Sequence, residues 1–117
     1  MSAHAGQGWA SCPLTQNGCL RILSQPGYPN PRPMAQVAER LAAAAADRSH
    51  DFWPDSISLI EPGRLQWSHV LGPRQVTDVY LLALAVHHQG SFVTLDRSVA
   101  LDAVVGAQKK HLTVLGA

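Results

Sequence analysis

The sequence predicts one α/β domain, residues 1–117, built on a largely parallel sheet flanked by helices. Three observations predict it. Short apolar, β-branched runs alternate with helical patterns in the order strand–helix–helix–strand–helix–helix–strand–helix–strand. Proline and glycine punctuate these runs, most clearly in Pro26–Pro33, "PGYPNPRP", and at Gly72-Pro73. One segment, "VTDVYLLALAVHHQG", is apolar nearly all round, as a helix buried against a sheet must be.

The elements follow in order. "MSAHAGQG" lacks periodicity and reads as a loop or ragged end. "WASCPL" is a short strand, and Thr15 or Asn17 then caps a helix through "NGCLRILSQ". After the prolines, "MAQVAERLAAAAADR" places Met34, Val37, Leu41 and Ala45 on one helical face. "SHDFWPD" breaks that helix, and Asp51 and Asp55 are loop residues there. Ser56–Glu61, "SISLIE", alternates like a strand, and a short helix covers Arg64–Val70. The buried helix starts near Thr77 or Asp78 and stops at Gly90, a good residue for the position after a C-cap. "SFVTLD" is a strand ending at Asp96; a helical turn in "RSVALDAVV" leads to a last strand, "HLTVLG".

Composition bounds the function. With 117 residues, 46% of them apolar and 15% charged, the chain is globular and has one modest core. A formal charge of +1 gives no global attraction for a polyanion, so such a partner has to be held locally. Seven of the nine basic residues are arginine, whose planar fork suits phosphate. Cys12 and Cys19 lack C-x-x-C spacing and lie too far apart along a helix to bridge, so free thiols in a reducing cytoplasm are expected. No apolar run reaches a membrane-spanning length, and the polar N-terminus does not resemble a signal peptide.

Two aspartates carry the chemistry. In open α/β sheets, ligands gather beyond the carboxyl ends of the strands. Asp96 ends a strand, and Asp78 opens the helix that precedes it; a right-handed crossover brings both to one edge. Convergent carboxylates suit Mg²⁺ or Mn²⁺, which lowers the pKa of bound water and offsets charge on a phosphodiester. Thr94 and Thr77 stand close enough in sequence to add hydroxyls. Arg21 and Arg97 are candidate phosphate contacts. The plainer reading also stands: each aspartate satisfies helix or turn N–H groups, and the arginines are solvated. The histidines show no zinc-ligand spacing, and no P-loop, G-x-G-x-x-G or G-x-S-x-G motif is present.

The block Val76–Ala100, "VTDVYLLALAVHHQGSFVTLDRSVA", resembles the signature of VapC-type PIN-domain toxins, with V-T-D opening a buried helix and V-T-x-D ending the next strand. "WASCPLTQNGCLRILSQPGYP", "HDFWPDSISLIE" and "LGPRQVTD" are similar to one subgroup. The resemblance implies a PIN-like parallel sheet and a Mg²⁺-dependent endoribonuclease, with RNA as substrate, a cognate antitoxin as partner, and a homodimer as one assembly. It implies that Asp78 and Asp96 are the third and fourth acidic residues of the family site. The family's first, in a D-x-N-V-L pattern on an N-terminal strand, has no counterpart here, so a partial domain lacking its central first strand is expected. The second position falls near Gln16 and Asn17, which are amides. Without that strand the chain is expected to be less stable than a full PIN domain. It has then to close the gap, self-associate or borrow a strand. The alternative to a nuclease is an inactive remnant that acts by binding alone.

Overall fold

The computed structural model describes residues 2–4, 8–25, 27, 32–94 and 96–115. Most of the proline-rich connection lies outside them. Five strands form one sheet in the order β3-β2-β1-β4-β5: β1 is Ser2–His4, β2 Gly8–Ser11, β3 His50–Phe52, β4 Ser91–Thr94 and β5 Leu112–Val114. The helices are α1 (Pro13–Leu23), α2 (Met34–Ala45) and α3 (Val76–His87). The α/β architecture is the expected one. Its β2–β3 and β4–β5 pairs are parallel, as predicted.

The centre of the sheet departs from expectation. Residues read as a loop form β1, which runs antiparallel to both neighbours, with Ser2 opposite Ala10 on one side and Phe92 on the other. The place between β2 and β4 is therefore filled, and backbone groups on both strands gain ladder partners. Ser-Ala-His carries no apolar alternation, so nothing in the side chains announced a strand.

Three boundaries also moved. The predicted strand Ser56–Glu61 does not form; β3 lies earlier, and Asp51, expected in a loop, pairs with Ala10. Trp53 N–H still donates to Ser11 O at 2.8 Å, but Pro54 has no N–H to continue the ladder. Ile57 and Leu59 pack against the core without strand pairing, while Ile60 is 83% exposed. The expected helix over Arg64–Val70 shrinks to a 3₁₀ turn at Trp67–His69. Helix α1 starts earlier than predicted, with Pro13 in its first turn and Cys12 as N-cap. Thr15 serves as the third residue of the capping box: its Oγ1 accepts from Cys12 N–H at 2.9 Å.

The core forms around α3, whose Val79, Leu81, Leu82, Ala83, Leu84 and Ala85 are all buried. Its C-terminus closes in a Schellman turn: Gln89 N–H donates to Val86 O at 3.2 Å and Gly90 N–H to Ala85 O at 2.8 Å. Gln89, not Gly90, takes the left-handed conformation, with φ 59°. Gly90 is required for another reason. A Cβ there would lie 2.5 Å from Cη2 of the buried Trp53 indole. That indole stacks on His88 with ring centroids 4.6 Å apart. Cys12 and Cys19 are both free; Cys12 is buried and Cys19 half-buried.

Candidate active site

Helix α3 and strand β4 run in opposite directions, so the start of one and the end of the other share an edge. Asp78 sits in the first turn of α3, and Asp96 lies two residues beyond β4. The structure brings them together: the two carboxyl groups are close enough for each to shift the other's ionisation. Asp78 is half-buried and Asp96 exposed. Burial, then the charge of Asp96, then the shared hydrogen bond push the Asp78 carboxyl above its ordinary range. Asp96 moves the opposite way. Hydrogen bonds from the Ser98 hydroxyl (2.6 Å) and Ser98 N–H (2.8 Å) to its Oδ1 lower it, and the bond to Asp78 adds to this. Burial and the neighbouring charge thus favour the neutral form of Asp78, while the Ser98 hydrogen bonds favour the ionised form of Asp96.

The plainer reading survives only in part. Asp96 does cap its own turn through Ser98. Asp78 is not the N-cap of α3; that place belongs to Gln75, which makes no side-chain cap. Gln75 instead ties the entry loop to the Asp96 turn. Its Oε1 accepts from Leu71 N–H at 2.8 Å, and its Nε2 donates to Ser98 O at 3.4 Å. Thr94 stands at the strand end, where its Oγ1 accepts from Asp96 N–H at 3.1 Å. Arg97 is exposed on the same turn. Ser98 and Gln75 were missed by sequence reasoning, although D-x-S after a strand is a turn signal that pointed to Ser98.

The positions of the expected second acid separate. Gln16 Nε2 donates to Ser11 Oγ at 2.9 Å, and Ser11 Oγ lies 2.7 Å from His50 Nε2, so this amide is held by a network between β2 and β3. Asn17 instead faces a cleft of about 360 Å³ between α1 and the start of α3. Thr77, next to Asp78, forms part of its wall, together with Arg21, Gly18, Leu14, Ile22 and Leu81. Arg21 is thereby placed on the cleft, with no salt bridge to it among the described residues. Among the described residues, no three His, Cys, Asp or Glu side chains group as a metal-binding set. None of the described helices is long and apolar enough to cross a membrane.

Comparison with known proteins points one way. The chain is 50% identical over 109 residues to ribonuclease VapC44 of Mycobacterium tuberculosis, covering 93% of this chain and 77% of that protein. It is 37% identical over 93 residues to ribonuclease VapC29 of the same organism, covering 80% of this chain and 65% of the relative. With ribonuclease VapC39 it shares 35% over 103 residues, or 87% and 74% of the two chains. No protein-family model matches the chain, and no solved structure matches it. Similarity at this level over most of both sequences, joined to the PIN-like α/β fold, shows that the chain belongs to the VapC ribonuclease family.

Proposed function

We propose that this protein is a metal-dependent endoribonuclease toxin that hydrolyses RNA phosphodiester bonds at the Asp78–Asp96 edge. The observation that carries the reading is the convergence of these two carboxyl groups just beyond the end of β4, where Asp96 is open to solvent. The pair fits a hard divalent cation. Two oxygen-rich groups are held together against their mutual repulsion, and a cation removes that cost. Mg²⁺, or Mn²⁺ in its place, would be held by Asp78 and Asp96 and would supply a Lewis acid and an acidified water at a phosphodiester.

The remaining parts belong to the chain itself. Ser98 fixes the Asp96 carboxylate through two hydrogen bonds, so that its orientation does not have to be found anew in each encounter. Thr94 supports the turn by accepting from Asp96 N–H. Arg97 and Arg21 offer guanidinium groups to the phosphate backbone. A cognate antitoxin as inhibitor, a homodimer as assembly and a cytoplasmic location belong to the same reading. The experiment is Mg²⁺-dependent cleavage of RNA, followed on gels, by wild type and Asp96→Asn. Loss of cleavage in the variant is expected; unchanged cleavage refutes the assignment.

A second reading has its own observation. Only two of the site's expected acids converge among the described residues, and fewer charges offset less of the cost of dehydrating the ion. A protein that binds a partner without cleaving RNA fits that count. Cleavage by the wild type would exclude it.

A further inference from the structure

We infer that the cleft between α1 and the first turn of α3 seats one unpaired nucleotide of the RNA beside the scissile phosphate, with Asn17 reading the base and Arg21 holding its phosphate. The inference rests on the ribonuclease reading and names the part of the substrate that this neighbouring site takes.

Position comes first. Thr77 lines the cleft and Asp78 follows it in the first turn of α3, so the cleft borders the helix end that carries one of the two carboxylates. Size follows. At about 360 Å³ the cleft falls at the small end of ligand clefts, roughly 300–1,000 Å³, which suits one nucleotide and not a duplex. The chemistry of its walls is mixed in the way a base requires. Leu14, Ile22 and Leu81 supply apolar surface, while Asn17 and Thr77 supply hydrogen-bonding groups. An amide presents a donor and an acceptor side by side, the pattern that matches a base edge. Arg21 stands on the same wall in the last turn of α1, with no carboxylate paired to it among the described residues. Single-stranded RNA is read in this manner, by splayed bases whose edges become accessible.

Gly18 gives independent support. Glycine inside a helix costs stability, and here no close packing requires it: a Cβ at Gly18 meets no atom within 4 Å. Gly18 lines the cleft, so the missing side chain leaves that wall open.

The test is binding of a short fluorescein-labelled single-stranded RNA in EDTA, where no metal-dependent cleavage occurs, read by anisotropy. Gly18→Leu fills the cleft from a position with free space and better helix propensity, so its thermal midpoint should equal or exceed that of wild type. Its RNA affinity should fall about tenfold or more. Arg21→Ala should weaken binding to all sequences and flatten the salt dependence by about 0.7 in the log–log slope. Asn17→Ala should alter the ranking of the four homopolymers. A folded Gly18→Leu protein that binds RNA like wild type overturns the inference. If that protein also loses cleavage in Asp96→Asn, the ribonuclease reading stands alone. Wild type that neither binds nor cleaves RNA removes both. Loss in Gly18→Leu of antitoxin binding with RNA affinity intact reassigns the cleft to a protein partner and overturns the inference as well.

Discussion

Helices α1 and α3 are nearly equal in length, eleven and twelve residues, yet α3 buries six side chains and α1 buries none. The contrast divides the molecule. Helix α3 is the core: it packs against β4, and its Leu82 and Leu84 are fully buried. Helix α1 is a surface element, held by its cap at Cys12 and Thr15 and by the Gln16–Ser11 bond, with Leu14 and Ile22 still partly exposed. The aspartate pair sits where the rigid helix begins, and the cleft sits where the loosely packed one faces it. Chemistry needs the first kind of support, because small displacements of reacting groups are costly. Recognition tolerates the second.

Substitutions should sharpen this division. Leu82→Ala leaves a cavity in the core and should cost about 2–5 kcal/mol in urea denaturation. Ile22→Ser on α1 should change stability by less than about 0.5 kcal/mol, as at other exposed sites. Comparable losses from both would erase the distinction. Gly90→Ala should come next, at about 1–3 kcal/mol, because the new methyl must displace the buried Trp53 indole. Its signature is a change in tryptophan fluorescence, which an unmoved indole would not give.

The smallest expected effect concerns the site itself, and its sign is informative. The folded-state pKa of Asp78 is raised, so its contribution to stability is present below the unfolded value of 3.8 and is lost as pH rises through the folded value. At neutral pH the charged carboxyl is therefore a net cost. Asp78→Asn should be more stable than wild type there, by about 0.5 kcal/mol or less, since solvent screens the pair. The gain should vanish in acid. Asp96, whose pKa is lowered by Ser98, should show the reverse: Asp96→Asn loses stability at neutral pH, and the difference closes as pH falls. Denaturation midpoints across pH check both signs.

What was legible in the sequence follows the same line. Helix α3 and strand β4 were readable because an all-round apolar run and a short S-F-V-T run with strand-forming Phe, Val and Thr leave few alternatives, and they place Asp78 and Asp96 at one edge. Strand β1 was not readable, since Ser2–His4 joins the sheet through backbone groups that any residue carries. "SISLIE" misled because its Ile57 and Leu59 do enter the core, but from a loop that follows Pro54. The role of Gln75 depends on a contact with Ser98, far along the chain, which no local pattern encodes; that of Ser98 is a local turn that D-x-S did signal.

The central claim is that the Asp78–Asp96 pair binds a divalent cation. Calorimetric titration of the protein with Mn²⁺ tests it most directly. Saturable binding at millimolar or lower concentration, lost in Asp96→Asn, is the result this account predicts. Equal heats from wild type and variant would contradict it.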